Sequence, residues 1–328
     1  MTSANTRLGA ALPRRRLGKS ELIVPAFSLG GYPLGWGDAE DEKAAIEAIH
    51  YALEQGLDYF DTSPGYGDSQ RRFGIALEGV DRESLVISTK TGTHPSRRQD
   101  YSWDATMWSV ENSLQMLKTD YIDLLLVHDP RDIEPVFAPR GALEALEQLK
   151  EQGLIKAIGL GQKRFDYHQR AIESGRFDVI LTFNNYHPLD VSALDWLLPL
   201  AQQHDVGVLN GAAMAHGLLS GEDPDVLFAR DQHDSRADLL PGARKLYRWC
   251  RDNGLSVPAV VFQFCMRQPL IHCTLTGVKN RAELQENLTA AAVPLPEALW
   301  DELAALGITA SLYQGQPEQA RDKAQHAS

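Results

Sequence analysis

An alternation constrains this chain more than any other feature. Short aliphatic and β-branched runs recur, each followed by a longer segment with helical periodicity. AFSLGG near Ala26 is the first strand, and DEKAAIEAIHYALEQG follows as an amphipathic helix stopped at Gly56. LDYFDTS and SLVISTK are the second and third strands, with a helix over DSQRRFGIALEG between them. After the helix around ATMWSVENSLQMLK comes YIDLLLVHD, the most strand-like run. IKAIGLG, FDVILTF, VGVLNG and IHCTLTG continue the series, again with helical segments between them. Eight such strands in a chain of 328 residues predict a closed (β/α)8 TIM barrel, an α/β fold. Their near-continuous apolar character is expected of strands buried on both faces. An open doubly wound sheet is the competing fold, and it needs a Gly-rich fingerprint. LGGYPLGWG has glycines at 30, 31, 35 and 37 but not the G-x-G-x-x-G spacing, so it reads as a mobile first βα loop.

No Pro- or Gly-rich linker divides the chain, so residues 1–328 read as one domain. Its core is expected over about 16–306, with polar mobile tails at 1–13 and 311–328. RRRLGKSELIVPA predicts a small N-terminal β-hairpin turned at Gly18-Lys19, plugging the barrel bottom. The longest non-periodic stretch, 222–242, reads as a lid or binding loop. Net charge is −12, from 32 basic and 44 acidic residues, which argues against nucleic acid as a partner. No apolar run reaches the roughly 18 residues of a membrane span. The first residues lack the apolar centre of a secretory signal. Three cysteines without a C-x-x-C pair point to buried thiols in a reducing cytoplasm, not to disulfides or structural zinc. The ten histidines form no H-x-H or H-E-x-x-H, so a metal-dependent hydrolase on the same barrel is disfavoured and no metal is expected.

A barrel of this kind carries its active site at the C-terminal ends of its strands. Asp61 and Tyr66 follow the second strand, Lys90 the third and His128 the fourth. Singly, each has an ordinary explanation: a helix cap, a packing ring, a solvated lysine, a structural histidine. Together at one mouth they describe proton transfer at a carbonyl or alcohol oxygen. A phenol with pKa about 10 in water becomes a better acid beside an ammonium, so Lys90 is expected to lower the pKa of Tyr66. Asp61 would hold the lysine, and His128 would orient the substrate oxygen. Tyr66 would then be the general acid for reduction or the base for oxidation. A phenol alone is too weak an acid for hydrolysis, so the partner step is hydride transfer, which needs a nicotinamide cofactor.

FDTSPGYG, STK and LLLVHDP together resemble the aldo-keto reductase superfamily, over residues 16–306. Residues 101–130 resemble its bacterial D-threo-aldose (L-fucose)/L-galactose 1-dehydrogenase branch. The resemblance implies a (β/α)8 barrel using NAD(P) without a Rossmann domain, and a catalytic tetrad of Asp61, Tyr66, Lys90 and His128. It implies a carboxamide ligand at Gln162, where the family often has Ser-Asn, and a second at Asn184 or Asn185. It places the pyrophosphate loop over NGAAMAHGLLSG, with Asn210, Met214, Ala215, Gly217, Leu218 and Ser220. That loop lacks the aromatic that stacks on the nicotinamide in many members. The adenosine end maps onto Gly277, Lys279, Asn280, Arg281, Glu283, Glu286 and Asn287. NADP-preferring members usually have Arg where Glu283 stands; a carboxylate there favours NAD, while Lys279 and Arg281 leave NADP open. As a structural residue, Glu283 would simply complement a helix dipole. The substrate pocket is expected from Tyr32 and Trp36 in the first βα loop and His94 and Trp103 in the third. Arg97 and Arg98 are a further candidate pair for a substrate anion.

The function implied is oxidation of an aldose at C1 to its lactone. The same geometry run backwards is an NADPH-dependent reductase of an aldehyde or ketone. A cofactor-binding regulatory subunit with slow turnover, like the potassium-channel β-subunits of the superfamily, is the non-enzymatic alternative. The expected partner is a small carbonyl or sugar substrate, with no nucleic acid or membrane, in a monomer or weak homo-oligomer.

Overall fold

Both faces of YIDLLLVHD are covered, which is why that run carries so little polarity. In the computed structural model of the chain, residues 7–231 and 234–309 are described. An antiparallel hairpin of β1 (Arg14–Arg16) and β2 (Ile23–Pro25) precedes the barrel. The barrel strands are β3 (Phe27–Gly30), β4 (Tyr59–Asp61), β5 (Val86–Thr91), β6 (Ile122–His128), β7 (Ile155–Gly161), β8 (Val179–Phe183), β9 (Gly207–Gly211) and β10 (Cys273–Gly277). They close in sequence order, β10 pairing with both β9 and β3, and every pair is parallel. Around them lie α1 (Ala39–Glu54), α2 (Ser69–Ala76), α3 (Trp103–Leu117), α4 (Glu134–Phe137), α5 (Ala142–Glu151) and α6 (Phe165–Glu173). The ring continues with α7 (Leu197–Gln203), α8 (Pro224–Asp231), α9 (Leu240–Asp252), α10 (Val257–Arg267), α11 (Arg281–Ala292) and α12 (Ala298–Ala305). This is the (β/α)8 barrel the alternation predicts.

Period-two alternation divides β6 between two cores. Leu124 and Leu126 point into the barrel with Tyr59, Ala157, Val179, Leu209 and Leu275. Leu125 and Val127 face the helices, in the cluster with Leu143, Leu146 and Ile158. The ends of α1 follow from its sequence. Asp38 and Asp41 form a reciprocal capping box, and Gly56 takes the left-handed φ of +85° just past the last turn.

The hairpin does plug the bottom. Leu17 and Val24 are fully buried among the barrel's interior side chains. Gly18 has φ +56° and lies so close to β9 that a Cβ would sit 2.2 Å from Gly207 N. Arg15 ties the hairpin to the C-terminal end of α10 through the carbonyls of Met266 and Gln268, at 2.5 and 3.0 Å.

Three expectations need correction. The packed chain begins earlier than residue 14, because Leu8 N–H and Ala10 N–H donate to Gln55 and Leu12 joins the core. Residues 1–6 and 311–328 lie outside the described residues. The stretch 222–242 is not irregular throughout, since it contains α8 and the start of α9. Asp223 starts α8 by accepting from Asp225 N–H, Pro224 follows, and Leu227 is buried. The first βα loop is also held rather than free. The buried Arg72 guanidinium donates to the carbonyls of Leu34 and Trp36, at 2.7 and 2.9 Å. Among the described residues, no helix is long and apolar enough to cross a membrane. No group of three or more His, Cys, Asp or Glu side chains there could hold a metal. All three cysteines are free and buried, and burial raises their thiol pKa values, that of Cys250 to about 12.

Candidate active site

Strand register brings the four sequence-predicted residues to one rim. Gly30 is level with Asp61, Asp61 with Ser88, Lys90 with Leu126, and His128 with Gly161. Asp61, buried at the end of β4, accepts from Lys90 Nζ at 2.6 Å and from Ser88 Oγ at 2.7 Å. Lys90 is 1% exposed and also donates to the Thr62 carbonyl at 2.7 Å. Burial pushes its pKa down, but the charge of Asp61 and the phenol of Tyr66 outweigh that and hold it above the ordinary lysine value. The ammonium is therefore permanent. It lies 4.7 Å from the centroid of the Tyr66 ring.

Tyr66 departs from expectation in one respect. Lys90 does pull the phenol pKa down, but burial is the larger effect and Asp61 adds to it, so the net shift is upward. Tyr66 thus keeps its proton at neutral pH. Sequence reasoning counted the lysine but not the desolvation.

His128 is fixed from behind. Its Nδ1 is 2.8 Å from Thr93 Oγ1 and 3.2 Å from Ser63 Oγ, and Tyr101 Oη donates to its carbonyl at 2.7 Å. Burial, aided by Lys90, holds the imidazole well below its usual pKa, so it is neutral. If both hydroxyls donate to Nδ1, the single ring proton sits on Nε2. That arrangement offers a substrate oxygen one donor from His128 and one from Tyr66, whose rings are 5.6 Å apart. Ser63 and Thr93 were missed in the sequence, although each lies within three residues of a tetrad member.

These groups open into a cavity of about 520 Å³ at the barrel mouth, with Tyr32 and Phe183 in its walls. The aldo/keto reductase family model matches residues 26–308. The chain belongs to the aldo/keto reductase family. It is similar to a D-threo-aldose 1-dehydrogenase from a Pseudomonas species, at 29% identity over 86% of this chain and 94% of that one. It is 30% identical to an L-galactose dehydrogenase from Arabidopsis thaliana, covering 84% and 87%. An aldo-keto reductase from Bacillus halodurans, solved in its holo form, has the same fold with TM-score 0.74, at 24% identity over 92% of this chain and 99% of that one. The protein is therefore an NAD(P)-dependent oxidoreductase.

A nicotinamide cofactor fits this aldo/keto reductase. Gly30, Gly161, Gly211 and Gly277 line the mouth with no side chain. At Gly161 a Cβ would meet no atom closer than 3.8 Å, so packing does not require glycine there and its absence leaves a flat floor. The loop after β9 carries Ala212, Ala215 and His216 at φ +54°, +49° and +53°, followed by Gly217 at +90°. Strain of this kind collects at ligand-binding loops. A larger cavity, about 1010 Å³, lies outside the barrel, and Ser220, Glu286 and Asn287 line it at the expected adenosine end. Asn287 Nδ2 donates to Thr276 Oγ1 at 3.2 Å, linking this groove to the mouth. In the same loop Leu218 is buried and Met214 is half-buried.

Other predicted residues are placed differently. The Gln162 amide donates to the Pro130 carbonyl and accepts from Lys163 and Arg164 N–H, so it shapes its own loop. Asn184 Oδ1 lies 3.2 Å from His187 Nε2, and Asn185 donates to Thr182 Oγ1. Asn210 is fully buried and donates to the Tyr186 carbonyl. None of these amides lines the mouth. Phe183, at the end of β8, does. The mouth thus has an aromatic on the strand next to the seventh, where the loop after the seventh carries none.

At the far end Asn280 caps α11 by accepting from Glu283 N–H at 3.0 Å, and Glu283 reaches back to Lys279 N–H at 2.8 Å. Arg281 is turned to α1, over the Tyr51 ring and 4.0 Å from Glu54. Of the substrate candidates, Tyr32 lines the mouth edge-on to Tyr66 at 5.2 Å, and the exposed Trp36 lies 6.1 Å beyond it. His94 and Trp103 do not line it. His94 packs on Trp108 and caps a short turn, and Trp103 starts α3 under the Arg140 guanidinium. Of the arginine pair, Arg97 lies over Trp108, and only Arg98 reaches the cavity.

Proposed function

We propose that this aldo/keto reductase oxidises an aldose at C1 to its lactone, with Tyr66 as the proton-transfer group. The observation that carries the reading is a tetrad brought together by hydrogen bonds and ring contacts beneath an open mouth. Similarity along most of the chain to two dehydrogenases with aldose names supports this substrate class. A bound nicotinamide would supply the acceptor for the hydride that leaves C1. His128 Nε2–H and Tyr66 hold the anomeric oxygen, and Tyr66 takes its proton as the carbonyl forms. Lys90 stabilises the phenolate that this requires, and Asp61 keeps the lysine in place. Phe183 and the glycine floor would hold the cofactor's nicotinamide, and Tyr32 lines the mouth beside Tyr66. The test is nicotinamide absorbance with a panel of aldoses and either oxidised cofactor. Reduction of cofactor by one stereochemical family of aldoses supports the reading. Turnover only with aldehydes and reduced cofactor overturns it.

One observation favours the reductase reading: burial keeps the Tyr66 proton on. Direction is therefore written in the pH profile. Oxidation needs the phenolate, whose fraction grows about tenfold per pH unit below its pKa, while reduction needs the phenol. Between about pH 7 and 9, kcat/KM for oxidation should rise with a slope near one, and that for reduction should stay flat. His128, neutral throughout, adds no limb there. An oxidation rate that levels off below pH 8 would remove Tyr66 as the base.

NAD is the cofactor this reading takes. A 2′-phosphate near the start of α11 would meet the Glu283 carboxylate, and Arg281 is already engaged elsewhere. Glu283→Arg should move the NADP/NAD ratio of kcat/KM by about tenfold or more towards NADP. An unchanged ratio would leave Glu283 as a helix cap only.

A further inference from the structure

Beyond His128 the mouth changes character. Asp129 lines both the main cavity and a side pocket of about 510 Å³ that continues from it, bounded by Thr93, Arg98, Gln99 and Arg131. Gln99 fixes that pocket's shape: its amide donates to the Asp129 carbonyl at 3.0 Å and accepts from Arg131 N–H at 2.9 Å. The Asp129 side chain itself is not satisfied. Its Oδ1 is turned inward and accepts no hydrogen bond from the protein, while the side chain as a whole is 42% exposed, so Oδ2, 3.5 Å from His128 Nε2, is the oxygen that a hydroxyl in the pocket can reach. Burial pushes the Asp129 carboxyl up to about 6, against the pull of Lys90, so at neutral pH it is an anion with an unfilled acceptor.

The pocket combines this acceptor with the exposed guanidiniums of Arg98 and Arg131. An anionic substrate would suit the arginines but meet the carboxylate. A hydrocarbon aldehyde would suit neither. A neutral polyhydroxylated ring suits both, since each hydroxyl gives a proton to Asp129 or takes one from a guanidinium. We propose that Asp129, assisted by Arg98, determines specificity by reading the ring hydroxyls of an aldose whose C1 oxygen lies at Tyr66 and His128. This rests on the aldose reading above and names the residues that select the sugar.

The experiment is steady-state kinetics of the full-length wild type and of Asp129→Asn, Asp129→Ala and Arg98→Ala. The substrates are an aldose, its monodeoxy analogues and the matching uronic acid. In the wild type, removing the hydroxyl that Asp129 reads should cost about 10- to 100-fold in kcat/KM, the usual worth of a hydrogen bond to a charged group. In Asp129→Ala the same deletion should cost less than about threefold, because the partner is already gone. The parent aldose should lose its affinity chiefly in KM. Asp129→Asn keeps the shape and tests the charge, should the alanine variant fold poorly. An equal fall in kcat for every substrate would mean that Asp129 acts through His128 and not on hydroxyls, and would overturn the proposal. So would a wild type that prefers the uronic acid, or variants that discriminate deoxy sugars as the wild type does. A wild type that oxidises no aldose with either cofactor overturns the aldose reading, and this proposal with it.

Discussion

Tyr66→Phe is expected to lower turnover by about 10³-fold while leaving the fold and cofactor affinity intact, the middle of the range for loss of a positioned acid/base. The ring is kept, and with it the contacts to Tyr32 at 5.2 Å, His128 at 5.6 Å and the Lys90 ammonium at 4.7 Å. Only the hydroxyl goes, and with it the proton that moves. The fall in kcat/KM should be the same for oxidation and reduction, because a substitution cannot change the equilibrium between free substrates and products. It should fall on the chemical step and not on binding. Cofactor titration followed by fluorescence should give the wild-type Kd, and circular dichroism the wild-type spectrum. Turnover within tenfold of wild type would show that the proton travels by another route, and His128 would be the next candidate.

What the sequence disclosed and what it withheld follow from the range of the forces involved. Alternation is a local signal, and a strand with both faces buried, such as β6, has little choice but to be apolar. The barrel and the position of Asp61, Tyr66, Lys90 and His128 were therefore legible, since a strand end is a sequence position. The sign of the Tyr66 shift was not. It depends on how much water the folded mouth excludes, and no residue near Tyr66 in the chain records that. Trp103 and His94 do not line the mouth for a related reason. Each lies in a βα loop, but α3 begins at Trp103, and helix formation turns that ring to Arg140 on the outer layer. Asn184 and Gln162 had the right chemistry for a carboxamide. The Gln162 amide is engaged by loop backbone, and the Asn184 oxygen lies against His187, groups that compete at short range. Phe183 carried a readable signal, the last residue of an apolar strand at the mouth. So did Asp129, the residue directly after His128. Neither could be separated from an ordinary strand end until the cavity was visible.

The Asp61–Lys90 pair separates what the tetrad contributes to folding from what it contributes to chemistry. Both side chains are almost fully buried, 2.6 Å apart. Lys90→Met leaves the Asp61 carboxylate with Ser88 as its remaining side-chain donor, and Asp61→Asn leaves an ammonium facing the Thr62 carbonyl. Each single variant strands a charge, which costs about 3–5 kcal/mol, and the urea midpoint should fall accordingly. The double variant Asp61→Asn/Lys90→Met strands none. A buried ion pair is close to break-even against apolar groups of similar size, so the double variant should recover more than half of the stability either single loses. Activity should not follow. Without the ammonium nothing offsets the burial of the phenol, and Tyr66 becomes a weaker acid and a less accessible base together. The double variant should remain at least about 10²-fold below wild type in both directions, a stable barrel that has lost its proton chemistry. If stability and turnover instead return together, the pair serves the fold, and Lys90 has no part in setting the phenol. If the double variant is no more stable than the singles, the cost lies in packing around β4 and β5 and not in stranded charge.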